Sequence, residues 1–388
     1  MSVRAPLLAP CLVLSLAAAC TVNRPRVLTE DDAAVAPTSD AAIDPTLDAW
    51  ASNADDVFVP GADALVPRED AYVPPLPGTR SVFFSGHSLI NINTPSYFAQ
   101  LSERDGRASR YQLQMGVGSP MSVRLACPRS GQQADGNGIA YDLMTELRRP
   151  GAYDTLILTE RHDIVTTILY ESTTSMARRY RDAFREGSPA GRAFLFESWF
   201  TIDRRNPSAF RARQERELVA WQCVASKVNE TRGDFAPMLV VPAGQAVSEL
   251  VGDVLAGRAP GMTSLSSVFL DDVHLTPEAN YLIALIHFGV VHQRSPEGLP
   301  HTGLEALSGP PLRLSAETAA YLQSLAARIV ERTFSEAALS QRSDAECASL
   351  LIPPCTALMS AGLCSDIVRA FRDDTAPVPM HSGEWCLR

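Results

Sequence analysis

The 388-residue chain predicts an α/β domain of three layers, α/β/α, with helices covering both faces of a parallel sheet of about five strands. Two patterns lead there. From residue 81 short β-rich runs alternate with helix-like stretches, and most of those runs are continuously apolar, as strands buried on both faces must be. The runs fall at 81–84, 111–115, 155–159, 193–197 and 238–241. A helix is expected over 207–228, with Pro207 in its first turn. A second, over 277–291, opens on Thr276-Pro277-Glu278, which supplies an N-cap, a first-turn proline and an acidic first turn. It is apolar nearly all around and is therefore expected to be buried. A third, over 315–334, carries Leu322, Leu325, Ala326, Ile329 and Val330 on one stripe and closes the domain.

Composition divides the rest of the chain into flanks. The formal charge is −10 and no Lys/Arg-rich cluster occurs, so a nucleic-acid partner is not expected. Residues 1–20 read as an export signal, with Arg4 as the charged start and an apolar stretch too short to span a bilayer. Residues 21–80 are rich in Ala, Asp and Pro with few aromatics, the composition of a disordered tether. The folded domain is expected over 81–335 and a Cys-rich tail over 336–388.

Export also governs the cysteines. Six remain after Cys11 and Cys20, and four of them, Cys347, Cys355, Cys364 and Cys386, crowd the tail. An oxidising compartment favours two disulfides there, closing a small loop-rich appendage. A zinc site is the rival reading, made poorer by the lack of any Cys-x-x-Cys pair. Cys127 and Cys223 are left as a possible pair.

Two islands carry the chemistry. Ser85-Gly86-His87-Ser88-Leu89 follows an apolar run, and Asp271-Asp272-Val273-His274-Leu275 precedes a helix start. Both are expected at the carboxyl edge of the sheet, where open α/β folds build their sites. Together they supply a nucleophile, Ser88, a base, His274, and an orienting carboxylate, the set used in acyl transfer. An Asp three residues before a His lets one turn present both side chains inward, so Asp271 is preferred to Asp272 as the orienting acid. His287 and His292, five apart on an apolar helix, have the wrong spacing for metal ligands on one face and are read as packing residues. Phe196-Glu197-Ser198-Trp199 ends the fourth run and is read either as pocket lining or as core. No metal or other cofactor is called for.

The order of these blocks resembles the SGNH, or GDSL-type, hydrolase superfamily over about 81–335. That resemblance implies a flavodoxin-like sheet and a serine esterase. Gly86-His87-Ser88-Leu89 stands for the first block and Asp271 to His274 for the last, which implies Ser88, His274 and Asp271 as the catalytic residues. Gly116-Val117-Gly118-Ser119 lies where the second block belongs, and Gly118 is favoured over Gly116 as the oxyanion-hole glycine. The backbone N–H of Ser88 and His162 are the other implied donors. The third block departs from the family pattern: Glu160-Arg161-His162-Asp163 puts His162 where the family uses Asn. Glu160 and Arg161 are expected to pair outside the pocket, and His87, in place of the family's Asp, is read either as hydrogen-bonding the loop that shapes the Ser88 turn or as a partly exposed residue without a role, the second being favoured. The segment Leu16-Ala17-Ala18-Ala19-Cys20 resembles the lipobox of bacterial lipoproteins, implying lipidation of Cys20, and Thr21 after it resembles outer-membrane targeting. The expected partners are an ester-bearing small molecule or acylated glycan, and a membrane through the lipid on Cys20. The competing expectation is a surface protein that keeps the fold and has lost turnover.

Overall fold

A computed structural model describes residues 80–126, 143–335 and 341–373. The expectations for the signal, Cys20, the tether, Cys127 and Cys386 lie outside these residues. Five parallel strands, β1 (Arg80–Gly86), β2 (Ser109–Met115), β3 (Thr155–Leu158), β4 (Arg192–Phe196) and β5 (Leu239–Val241), form one sheet in the order β2-β1-β3-β4-β5. Each overlaps a run expected from the sequence. The order reverses direction between β1 and β3, which is the switch point of such sheets.

Alternate strand residues sort into two cores. Val82, Phe84, Ile157, Phe194, Phe196 and Val241 enter one, and Phe83, Leu156, Leu158, Ala193, Leu195 and Val240 the other. The first is covered by α1 (Asn93–Arg104), α7 (Ala243–Leu255), α8 (Pro277–His292) and α9 (Ala316–Ser335). The second is covered by α2 (Met121–Ala126), α3 (Leu143–Leu147), α4 (Ile164–Tyr170), α5 (Thr173–Gly187) and most of α6 (Pro207–Asn229). The β1-to-β2 connection lies on one face, and the connections running the other way lie on the opposite face, as right-handed crossovers require.

The caps read from the sequence are made. Thr276 accepts the Ala279 N–H at 3.2 Å ahead of Pro277, and Asn206 accepts the Ala209 N–H at 3.3 Å ahead of Pro207. Helix α8 is buried along its whole length. On α9 the residues Leu322, Leu325, Ala326, Ile329 and Val330 face the first core.

The tail differs from the loop-rich appendage expected. It forms α10 (Asp344–Leu350), α11 (Ile352–Thr356) and α12 (Ala361–Asp373), packed on α6 and α4. Ser343 and Glu346 make a reciprocal capping box that starts α10. Leu351, Ile367 and Phe371 join the second core, so the tail completes the domain's cover. Cys223 of α6 bonds Cys347 of α10, with Cα atoms 5.5 Å apart, and Cys355 bonds Cys364. The Cys127–Cys223 pairing is therefore overturned, and these tail thiols are not available to zinc. Among the described residues no helix is long and apolar enough to cross a membrane.

Candidate active site

The Asp271–His274 segment forms a tight loop closed by an antiparallel bridge between Phe269 and Leu275. The Leu270 N–H donates to the His274 carbonyl at 2.8 Å. Within the loop Asp271 Oδ1 accepts the N–H groups of Val273 (2.7 Å) and His274 (2.6 Å), while Oδ2 lies 2.7 Å from His274 Nδ1. An ionised carboxylate can only accept, so Nδ1 carries a proton, and in the neutral ring this tautomer leaves the lone pair on Nε2. Desolvation works to raise the Asp271 pKa, but the bonds from His274 and Val273 outweigh it and hold the carboxyl down to about 2. Asp272 points elsewhere, 3.2 Å from Arg204 Nε.

The connection between β4 and α6 clamps this loop through three donors. Ile202 N–H reaches the Asp272 carbonyl at 2.8 Å, Trp199 Nε1 the Val273 carbonyl at 2.8 Å, and Arg204 Nη2 the Asp271 carbonyl at 2.7 Å. Trp199 is buried in the first core, so of the two readings for it the core role holds, and its indole N–H adds a positioning bond. Arg204 had no signal in the sequence, because its partners, the Asp272 carboxylate and the Phe269 and Asp271 carbonyls, lie about 65 residues away.

Ser88 opens a one-turn 3-10 helix, Ser88–Ile90, directly after β1. A side chain at Gly86 would meet Thr159 Cγ2 at 2.9 Å, so only glycine lets β1 and β3 close together beneath this turn. His87 is buried, so of its two readings the favoured, partly exposed one is overturned and the hydrogen-bonding one holds. Its Nδ1 accepts the Leu89 N–H at 3.4 Å and its Nε2 lies 3.1 Å from the Glu160 carbonyl, to which it donates. Burial first, and the nearby Arg124 charge second, push its pKa down to about 3, so His87 is a neutral pin joining the Ser88 turn to the end of β3.

The expected pairing of Glu160 with Arg161 is also overturned. Arg161 pairs with Asp163 at 3.1 Å. Glu160 turns inward beneath the site, where its carboxylate accepts Met121 N–H (3.1 Å), Arg161 N–H (2.8 Å) and the Thr173 hydroxyl (3.2 Å). Burial raises it to about 7, opposed chiefly by Arg124. Arg124 is fully buried and links three strand ends: Nε donates to Ser85 Oγ at 3.1 Å, Nη1 to the Ser119 carbonyl and to Ser119 Oγ, and Nη2 to the Thr159 carbonyl. The sequence could not single it out, since one Arg in a short helix looks like any surface charge.

Gly118 has φ +64 and sits in an exposed turn with open space around it. Its N–H has no partner among the described residues, whereas the Gly116 N–H is engaged by the Gly86 carbonyl at 3.0 Å. His162 is half-buried and packs edge-on against Phe200, with ring centroids 5.7 Å apart. Burial lowers its pKa, so the ring is neutral and has one N–H to give.

Ser88 is half-buried and lines a cleft of about 320 Å³ with Leu270 and Leu275, the residues flanking the Asp271–His274 loop. Gly118 and His162 are not among its lining residues. Ser88 Oγ and His274 Nε2 are not hydrogen-bonded to each other, and the His274 ring is held through Nδ1 alone. The structure thus brings Asp271 and His274 into contact and sets Ser88 on the wall of the cleft beside their loop. His287 and His292 are buried against Phe196 and Phe98, as packing residues should be. Among the described residues no group of His, Cys, Asp and Glu could hold a metal.

No family model matches the chain, and no curated protein matches it. Among solved structures, a DUF4886 family protein from Bacteroides uniformis is 14% identical, with TM-score 0.45, over 65% of this chain and 95% of its own. A carbohydrate esterase family 3 protein from Talaromyces cellulolyticus is 10% identical, with TM-score 0.34, over 54% of this chain and 95% of its own.

Proposed function

We propose that the chain is a serine hydrolase of ester bonds. The observation that carries this reading is the 2.7 Å contact between His274 Nδ1 and Asp271 Oδ2, made in a clamped loop that borders the same cleft as Ser88. In the reaction His274 Nε2 takes the Ser88 proton while Ser88 Oγ attacks the ester carbonyl. The C–O bond to the alcohol then breaks, and the alcohol leaves with the proton from His274. Water, deprotonated by the same ring, hydrolyses the acyl-enzyme and returns the proton to Ser88. Asp271 holds the ring in the required tautomer. The N–H groups of Ser88 and Gly118 and the His162 ring are the proposed donors to the oxyanion, and losing one such donor costs about two to three powers of ten in rate.

As an exported lipoprotein anchored through Cys20, the enzyme would act on extracellular esters or acylated glycans at the cell envelope, most consistently the outer membrane. The two disulfides within the described residues suit an oxidising compartment. A second reading, a surface binding protein without turnover, is favoured by the third block, where His162 packs on Phe200 and Glu160 faces inward. Hydrolysis of nitrophenyl butyrate separates the two. The hydrolase reading expects activity that vanishes in Ser88→Ala and falls steeply in His274→Ala, and undiminished activity in either variant rules out these roles.

A further inference from the structure

The walls of the cleft beside Ser88 specify what it can hold. Its apolar lining is Ile92, Met115, Leu270, Leu275, Pro277 and Pro310, and no charged side chain or aromatic ring lines it. Asn93 and Asn280 also line it, but both amides are already engaged within the protein. Asn93 Oδ1 accepts the N–H groups of Leu307 (2.7 Å) and Ser308 (3.0 Å), and its Nδ2 donates to the Ser308 carbonyl at 2.7 Å. Asn280 Nδ2 donates to the Leu275 carbonyl at 3.2 Å, and its Oδ1 accepts from Thr94 Oγ1 at 3.5 Å. Asn91 Oδ1 is taken by the Asn93 N–H at 2.8 Å. What remains for a ligand is the apolar surface, one Asn91 amide nitrogen and the hydroxyls of Ser88 and Ser308.

The outer wall is built, not draped. Gln100 binds Glu305 through both its N–H and its carbonyl, at 2.8 and 2.9 Å, and Arg104 binds the carbonyls of Thr302 and Gly303. With Asn93 these residues fasten the segment 302–308 along one side of α1, so the cleft is preformed. Beyond its mouth the apolar surface continues: Leu270 is 61% exposed, and Val117 and Leu307, which follow or precede lining residues by one or two positions, are 78% and 49% exposed.

We propose that this cleft is the acyl subsite, and that the substrates are esters of uncharged aliphatic acyl groups longer than acetyl. The proposal rests on the reading of Ser88 as nucleophile. An acetyl group would leave most of the apolar wall in contact with water, whereas each further buried methylene contributes about 0.8 kcal/mol, or about fourfold in kcat/KM.

The test compares nitrophenyl acetate, butyrate, hexanoate and octanoate on the full chain and on Leu270→Asp and Met115→Trp, which place a charge at the mouth or fill the cleft. Leu270 is exposed, so its substitution leaves folding intact. In the wild type kcat/KM should climb about fourfold per methylene until the cleft is full, and the hexanoate-to-acetate ratio should drop at least tenfold in both variants. In parallel, NMR titration of Ser88→Ala with N-methylhexanamide and N-methylacetamide reads occupancy without turnover. Tighter binding of the hexanamide, weakened by adding Leu270→Asp, supports the subsite even if no ester is hydrolysed, in which case only the hydrolase reading falls. A flat or falling chain-length profile with Ser88-dependent hydrolysis overturns the subsite and leaves the hydrolase standing. Without hydrolysis, equal binding of the two amides, or no binding of either, overturns it as well.

Discussion

Removing the buried Arg124 guanidinium should unfasten the floor of the site. The Arg124→Met change keeps the aliphatic stem but strips the Ser119 and Thr159 carbonyls of their donor and leaves Glu160 without its chief opposing charge. Arg124 acts on Glu160 through its charge and not through a direct hydrogen bond, so the loss of about 3–5 kcal/mol on breaking a buried contact pair sets the upper end, and each orphaned carbonyl adds about 1 kcal/mol. These contributions overlap, so a loss of about 4 kcal/mol at pH 8 is the expected result, a large part of a domain's usual margin of about 5–15 kcal/mol. Urea unfolding followed through the buried Trp199 and Trp221 measures it. The second arm is Glu160→Gln. Because the stranded carboxylate causes part of the damage, Arg124→Met should cost about 2 kcal/mol less in that background. A cost below about 1 kcal/mol for the single variant, or strict additivity of the two, would refute the view that Arg124 and Glu160 form one unit beneath the candidate site.

Three further outcomes follow from the same coordinates. Converting Cys223 and Cys347 together to Ala should lower stability by about 2–5 kcal/mol, since the bond closes a loop of 124 residues; a change under 1 kcal/mol in reduced and oxidised samples alike would show that the tail docks without it. Stability should peak between about pH 4.5 and 6.5. His87, His287 and His292 are pushed down from 6.5 to about 3, 4 and 3, so the unfolded chain binds more protons below 6.5 and stability is lost on acidification. Glu160, Glu197 and Glu217 are raised from 4.5 to about 7, so the folded chain binds more protons across that window and stability is lost as pH rises through it. The two slopes oppose each other between 4.5 and 6.5, and a curve rising or falling steadily from pH 4 to 8 would contradict the burial of one set. Arg204→Met should lower kcat for ester hydrolysis at least tenfold with KM little changed, because it frees the Asp271 carbonyl and loosens the His274 loop without touching the cleft. An unchanged kcat would mean that Trp199 and Ile202 suffice.

What the sequence disclosed was local. Strands buried on both faces read as unbroken apolar runs, so all five were placed to within about two residues, and Thr276-Pro277 announced α8 because capping is decided by neighbours. The Asp271–His274 contact was legible for the same reason, being made within one turn. Whatever depended on distant segments was not. Between a bond at the Ser88 turn and a surface position the sequence could not decide for His87, because its partner, the Glu160 carbonyl, lies 73 residues on. Arg124, Arg204 and the Cys223–Cys347 bond were hidden in the same way, each being defined by chain crossings that no short window contains. The tail is a different case. Its Ser343-to-Glu346 capping box is present in the sequence, but the crowded cysteines pointed to a loop-rich appendage, whereas disulfides and the prolines in the first turn of α11 are compatible with helices.

The central claim is that His274, steered by Asp271, activates Ser88. Reaction with a small fluorophosphonate, followed by intact mass and peptide mapping, addresses it without assuming any substrate. The account predicts one adduct per chain, on Ser88, formed at least a hundredfold more slowly in His274→Ala. No adduct under conditions that modify a control esterase, or equal rates with and without the His274 ring, would contradict it.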